Sequence, residues 1–451
     1  MFNKVLIANR GEIAVRVIRA CRELGLRTVA VCSEADRPAL HAKIADETVC
    51  IGPAASRDSY LNIPALLSAC AVTGAGAVHP GFGFLSENAS FARHCESCGI
   101  KFIGPKPETI EKMGDKARAK QSMKDAGIPV IPGSDGAAES LSEAKSLAKK
   151  IGYPVLVKAS AGGGGRGIRR VDSPDALEGA ITAAKQEALS FFGDDGVYIE
   201  KLLIKPRHIE VQIIADEHGN VVHLGERDCS LQRRNQKVLE ECPSPSPLMT
   251  DALRDKMGRA SVGAAKAVGY QNAGTIEYLL DADGRFYFME MNTRIQVEHP
   301  VTELVAGIDL VKTQIRVAMG EELPFRQQDV ALNGHAIECR INAETPELDF
   351  RPSPGTLRAL FVPGGPGIRV DSAIYAGYTI TPHYDNMMAK LIAYAPTRAE
   401  AIAKMKWALA EFLVDGVDTN IDFHLGILRD ENFAKGSYDI AYLSEKRKEG
   451  K

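Results

Sequence analysis

The chain has 451 residues, a charged fraction of 25% and a formal net charge of −3, so it has room for about three domains and no global drive toward nucleic acid or an anionic membrane surface. A hydrophobic fraction of 45% is ordinary for a globular protein, and no apolar run approaches the ~18 residues of a transmembrane helix. The opening MFNKVLIANRGE lacks a charged-then-apolar leader with a cleavage site, and nine scattered cysteines read as free thiols of a reducing compartment, so the expected location is the cytoplasm.

Residues 1 to about 103 alternate short apolar strands with helical patterns. KVLIA (4–8) reads as a buried strand, 11–24 as a helix, TVAVCS (28–33) as a strand, and KFIG (101–104) closes the series. Such βαβ alternation predicts a parallel sheet with helices on both faces. The glycines of HPGFGFLSE (79–87) suggest either a loop where backbone approaches a ligand or a plain tight turn. Cys95 and Cys98 form a CxxC after His94. No second pair stands at zinc spacing, so adjacent turns of a helix is the plainer reading and a redox pair the other.

A helix is expected over 107–126, with Lys116 inside it. YPVLVKASAGGGGRGIRRV (153–171) reads as strand, glycine loop, strand, with Lys158 near the end of the first strand. A Rossmann loop leads into a helix and a Walker A loop ends in Lys-Ser or Lys-Thr, so neither fits. A glycine hairpin that lays backbone N–H groups over phosphates fits better than a bare surface hairpin. PRHIEVQIIAD (206–216) alternates, with Ile209, Val211 and Ile213 on one face and His208, Glu210 and Gln212 on the other. Arg233, Arg234 and Lys237 cluster further on, and a local anion pocket suits them better than a nucleic-acid patch in an acidic chain.

Residues 275–298, TIEYLLDADGRFYFMEMNTRIQVE, read as two strands around the turn at Asp281–Ala282–Asp283–Gly284. Glu290 and Asn292 share a face. If Leu280 pairs with Arg285, Glu277 lies across from Phe288 on that same face. Two carboxylates and an amide oxygen there suit a hard cation such as Mg²⁺, and Arg294, Gln296 and Glu298 follow at spacing two. The plain alternative is a solvated polar face, which Phe286 and Phe288, on the same face in this register, argue against. Helices are expected over 249–269 and 301–320. Residues 333 onward read as a separate unit of antiparallel strands and a helix (397–414), with Arg340 on the face of Glu338 and Trp407, the one tryptophan, in its core.

The blocks ANRGEIA, HPGFGFLSEN, GDK around Lys116, KASAGGGGRG, ERDCSLQRRNQK and EMNTRIQVEHPVTE together resemble biotin carboxylase, the ATP-grasp subunit of biotin-dependent carboxylases, over essentially the whole chain. The resemblance implies a mixed α/β and α+β fold. It comprises an N-terminal parallel α/β domain (1–113), an ATP-grasp module (114–332) with a glycine-rich lid at about 131–204, and a C-terminal α+β domain (333–451). It implies a ligase that uses ATP and Mg²⁺ or Mn²⁺ to make carboxyphosphate from bicarbonate and carboxylates biotin carried on a separate protein.

Carried over residue by residue, Lys116, Lys158, His208, Gln232 and Asn235 resemble nucleotide contacts, and Glu200, Lys201 and Leu203 the adenine connection. Gly162, Gly163, Gly164 and Gly165 resemble the lid loop, and Glu277, Glu290 and Asn292 the metal ligands. Lys237, Arg294, Gln296 and Val297 resemble the bicarbonate pocket, Glu298 the base, and Arg340 the group that stabilises negative charge on biotin, with Phe82 beside it. Asn235 stands where well-known members carry histidine, and Phe82 where tyrosine is common.

No Ala-Met-Lys-Met carrier segment is present in the sequence, so the expected partners are a biotin carboxyl carrier protein, carboxyltransferase subunits and a second copy of the chain, with neither nucleic acid nor membrane. Acetyl-CoA carboxylase in fatty acid synthesis is the expected complex. The alternatives are pyruvate carboxylase or another acyl-CoA carboxylase, a ligase joining a carboxylate to an amine, and a non-catalytic nucleotide-binding regulator.

Overall fold

The structure is a computed structural model that describes residues 2–134, 140–159, 168–192 and 196–449. The expected lid glycines, Gly162 to Gly165, lie outside the described residues.

β1 (Lys4–Ile7), β2 (Arg27–Cys32), β3 (Glu47–Cys50), β4 (Ala77–His79) and β5 (Lys101–Phe102) form one parallel sheet in the order β3-β2-β1-β4-β5. Val5, Leu6 and Ile7 are wholly buried, as expected when helices cover both faces. The helix Gly11–Glu23 buries Ile13, Ala14, Val17, Ile18 and Cys21, a stripe of helical period.

A small antiparallel sheet, β7-β6-β8, is made of β6 (Val155–Ala159), β7 (Ile168–Val171) and β8 (Val197–Lys201). The largest sheet has eight strands. It contains β9 (Arg207–Ala215), β10 (Val221–Arg233), β11 (Gln236–Cys242), β12 (Asn272–Leu280), β13 (Phe286–Asn292) and β14 (His335–Asn342), in the order β13-β12-β9-β10-β11-β14, followed by the strands Met387–Ala395 and Ile368–Ser372. The expected domain boundary at 332/333 therefore falls inside one sheet, because β14 pairs with β11 across it. β9 is central, so both its faces are buried, polar residues included.

Several expectations are corrected. The helix expected over 107–126 is two helices, Pro107–Gly114 and Lys116–Asp125. Asp115 breaks it by accepting hydrogen bonds from the N–H groups of Ala117 and Arg118, so Lys116 opens the second helix. The helix expected over 301–320 is His299–Ala306 and Leu310–Ala318, separated at Gly307 (φ +68°) and recapped by Asp309. Trp407 is not a core residue; it lies on the helix Arg398–Glu411 and is 36% exposed.

The hairpin register also differs. Leu280 pairs with Phe286, not Arg285, and Tyr278 pairs with Phe288. Glu277 then pairs with Glu290 and Thr275 with Asn292. Met289 is thus the extra residue of a β-bulge. The bulge reverses the alternation, so Phe286 and Phe288 join Ile276, Tyr278, Leu280 and Met291 in the core, and Glu290 and Asn292 take the face of Glu277. The two phenylalanines do not share the carboxylates' face, as an unbulged strand would require.

Candidate active site

The site is built on the polar face of the eight-stranded sheet and on the segment that follows β13. Lys237, at the start of β11, lies at its centre. Its ammonium donates to Glu298 Oε1 at 2.6 Å, to Glu277 Oε1 and Gln296 Oε1 at 2.9 Å each, and to Glu210. Arg227, fully buried on β10, also binds Glu210 and donates to Gln212 Oε1 at 2.8 Å and Thr302 Oγ1 at 2.9 Å. With these cations at hand the carboxylates can stay charged out of water. Burial pushes Glu210 and Glu277 up, but Lys237, with Arg227 at Glu210 and His208 at Glu277, outweighs it and holds both below the ordinary carboxylate range.

Glu298 is buried and two-handed. Lys237 takes one oxygen, and Arg340 Nη2 meets the other at 3.0 Å. Burial raises this carboxyl, and Lys237 and Arg340 outweigh it, so it lies below its ordinary value and is ionised at neutral pH. Glu240 Oε1 also holds Arg340, 2.7 Å from Nε and 2.5 Å from the same Nη2 that meets Glu298. The backbone carbonyl of Val297 accepts from Lys390 at 2.9 Å, and the Lys390 ammonium lies 6.0 Å from the centre of the Phe82 ring. Lys390 thus links Phe82 to the backbone at Val297, next to the Glu298 that Arg340 holds.

Arg294 donates to Glu87 Oε2 at 2.9 Å and to Asn292 Oδ1 at 3.0 Å. Asn292 donates in turn to Glu277 Oε1 at 2.9 Å, as does Gln296. His208 sets Nε2 3.2 Å from Glu277 Oε2 and Nδ1 2.9 Å from Gln232 Nε2. Burial pulls the imidazole down, but Glu277 and Glu210 outweigh it and raise it to about 9. Glu290 is half exposed, with Lys116 Nζ 3.6 Å away.

On the small sheet, Glu200 is flanked by Lys158 of β6 at 2.7 Å and by Lys120 of the helix Lys116–Asp125 at 2.9 Å. Leu203 is buried. Lys201 instead donates to the carbonyls of Gly152 and Tyr153, so its side chain ties down the chain before β6. Asn235 is exposed in the tight turn with Arg234, both at positive φ. Arg233, Arg234 and Lys237 do not share one anion pocket. Arg233 stacks on Phe350 at 4.0 Å, Arg234 pairs with Asp349, and only Lys237 enters the site.

Six charged residues of this network had no assigned role from sequence: Glu87, Lys120, Glu210, Arg227, Glu240 and Lys390. Glu210 was legible as a neighbour of His208 on one strand face, and Glu87 as the acid closing HPGFGFLSE. Arg227 lies opposite Glu210 across the β9–β10 hairpin, whereas Lys120, Glu240 and Lys390 reach the site only through pairings distant in sequence.

Family models cover almost the entire chain. "Biotin carboxylase, N-terminal domain" matches residues 1–110, "Carbamoyl-phosphate synthase L chain, ATP binding domain" matches 115–326, and "Biotin carboxylase C-terminal domain" matches 338–445. Biotin carboxylase 1 of Bacillus subtilis is 57% identical over 98% of each chain. A pyruvate carboxylase subunit of Methanothermobacter thermautotrophicus is 55% identical over 99% of this chain and 91% of its own. The biotin carboxylase domain dimer of Hydrogenobacter thermophilus 2-oxoglutarate carboxylase, solved with MgADP, ADP and bicarbonate, superposes with a TM-score of 0.89 at 52% identity, covering 99% of this chain and 98% of that one. The charged network is therefore carried on a shared fold at high identity throughout its length, and the chain belongs to the biotin carboxylase family.

Proposed function

We propose that this chain is the biotin-carboxylating ligase of a multi-subunit carboxylase, activating bicarbonate with ATP and passing the carboxyl group to biotin on a separate carrier protein. The observation that carries this reading is Glu298, ionised, buried and held between Lys237 and Arg340. Glu298 takes the proton of bicarbonate as the bicarbonate oxygen attacks the γ-phosphorus of ATP and the bond from that phosphorus to the bridging oxygen breaks, releasing ADP and leaving carboxyphosphate. Lys237, Arg294, Gln296 and the backbone at Val297 hold the anion in this reading. Arg340 stabilises the negative charge that develops on the ureido oxygen of biotin, in a site closed to water, with Phe82 on the biotin side. Lys116, Lys158, His208, Glu200, Lys201, Leu203, Gln232, Asn235 and the lid glycines Gly162 to Gly165 form the nucleotide side.

Glu277, Glu290 and Asn292 offer the hard oxygen donors that Mg²⁺ or Mn²⁺ takes. Glu277 Oε1 is already shared by Lys237, Asn292 and Gln296, so the most open donor is Glu290. A bound ion supplies neutralisation of nucleotide phosphate oxygens. We divide the chain functionally at 1–113, 114–332 and 333–451.

The assembly we favour is a homodimer with a biotin carboxyl carrier protein and the carboxyltransferase of acetyl-CoA carboxylase. The named dimer of the Hydrogenobacter relative supports the first element. The Methanothermobacter relative, 55% identical, favours pyruvate carboxylase as a second reading. The nine free thiols suit a cytoplasmic setting. ATP hydrolysis by the purified chain with Mg²⁺ and bicarbonate, with and without free biotin, tests the reaction. Stimulation by biotin with carboxybiotin formed is expected, and hydrolysis indifferent to both would point to another ATP-grasp ligase. Chains that copurify identify the complex.

A further inference from the structure

Two buried carboxylates behind Arg340 have no part in the chemistry above. Glu240 on β11 and Glu338 on β14 are cross-strand partners in antiparallel register, which sets their side chains side by side on one face. Neither is exposed to solvent. Glu240 gives Oε1 to Arg340, while its Oε2 and both oxygens of Glu338 have no hydrogen-bond partner. Like charges directly opposed on a ladder repel, and a buried carboxylate without a donor takes up a proton rather than stay charged.

The groups facing the pair are Lys237 on β11, Arg340 on β14, Lys390 on the strand Met387–Ala395, Cys229 on β10, and Glu298. Lys237 is spent on Glu210, Glu277 and Glu298. Lys390 is turned to the Val297 carbonyl and to Glu12. The wall beyond Glu338 is apolar, with Val301, Ala336 and Ile392. Arg340 therefore hydrogen-bonds both Glu240 and Glu298, while Glu338 feels the charge of Lys390 and Arg340 but has no donor on either oxygen.

We propose that Glu240 and Glu338 hold a single proton between them in the working enzyme and act as a positioning pair for Arg340, with ionised Glu240 as its anchor and neutral Glu338 sparing it a third charge. This rests on the biotin carboxylase reading. When bicarbonate is activated, its O–H bond breaks and the proton passes to Glu298, the freed pair forms the bond to the γ-phosphorus, and the bond from that phosphorus to the bridging oxygen breaks with its pair leaving on ADP. Neutral Glu298 is a weaker acceptor, so the Nη2 hydrogen it held is freed toward the biotin oxygen while Glu240 Oε1, against Nε and Nη2 together, keeps the guanidinium in place. Burial pushes Glu240 up to about 7 and Glu338 well above the carboxylate range, so the pair holds two protons in acid and keeps one, on Glu338, above about pH 7.

Glu240→Gln removes the anchor. The expected result is a biotin-dependent carboxylation rate lower by roughly 10- to 100-fold, the size of effect a misplaced catalytic group has. Bicarbonate-dependent ATP hydrolysis measured without biotin falls much less, the KM for ATP stays put, and Glu240→Asp recovers most of the loss. Glu338→Gln fixes the neutral form, so the high-pH loss of carboxylation moves to higher pH, and an infrared carbonyl band of a buried protonated carboxyl, present in the parent at neutral pH, disappears. Equal losses of both activities in Glu240→Gln would overturn the proposal, as would an unchanged pH profile and infrared band in Glu338→Gln. A parent protein without bicarbonate-dependent turnover would instead overturn the proposed function, because the infrared comparison reads the shared proton with no turnover at all.

Discussion

Glu240 and Glu241 are consecutive on β11, both unexposed, and point to opposite faces of one sheet. On its side, Glu241 accepts from His335 Nε2 at 2.8 Å, Arg398 at 2.7 and 2.9 Å, and the Tyr438 hydroxyl at 2.7 Å. Burial raises its carboxyl, and the hydrogen bonds from His335 and Arg398 outweigh it and bring it down to about 2. On the other side, Glu240 has one arginine, shared with Glu298, and a second carboxylate opposite, and it rises to about 7. Equal burial thus gives opposite charge behaviour. The number of donors decides, because desolvation is common to both and only pairing differs.

That contrast can be broken from its extremes inward. Lys237→Met strips the shared ammonium from Glu210, Glu277 and Glu298 and makes the centre of the site poorer in donors than the Glu240 face. Removing one partner of a buried ion pair costs about 3–5 kcal/mol, so urea unfolding at pH 7 should show a loss of that order, and carboxylation should vanish. Glu241→Gln leaves Arg398 and His335 short of a charged acceptor and should cost about 2–3 kcal/mol in the same assay. Glu240→Gln should stay within about 1 kcal/mol of the parent; equal losses at the two positions would erase the distinction.

The pH dependence sharpens it. Glu241 has a folded-state value below its unfolded one, so its contribution is present above pH 4.5 and is lost as pH falls toward about 2. The stability gap between parent and Glu241→Gln should therefore close on acidification. Glu240 has a raised value, so the folded state holds the extra proton and stability falls as pH rises from 4.5 through about 7. Glu240→Gln should gain on the parent across that window. The smallest effect is expected outside both faces: Trp407→Phe, on the partly exposed helix, should shift stability by no more than about 0.5 kcal/mol by thermal or urea unfolding.

What was legible in the sequence had a local cause. The alternation of β9 placed His208, Glu210 and Gln212 on one face, and that face is the floor of the site. The parallel N-terminal sheet followed from short apolar strands set between amphipathic helices. The breaks at Asp115 and Gly307 had readable signals, an Asp before a helix start and a Gly in left-handed backbone, but the apolar periodicity ran through them. The hairpin register failed because a bulge adds a residue without disturbing the composition around it. Glu240 and Lys390 could not be found locally, since each matters through a strand or loop distant in the chain, and Arg227 needed the β9–β10 register that sets it opposite Glu210.

Met289 makes chain length at a single position a chemical variable. With it, the end of the hairpin near the turn offers aromatic rings to the interior while the far end offers carboxylate and amide oxygens to the cleft. Without it, strict alternation would hold both ends to one orientation. Deleting Met289 would force a choice between sinking Glu290 and Asn292 into hydrocarbon and turning Phe286 and Phe288 out toward the cleft. A one-codon deletion there would invert the wetting of half a hairpin while removing no side chain that binds or reacts.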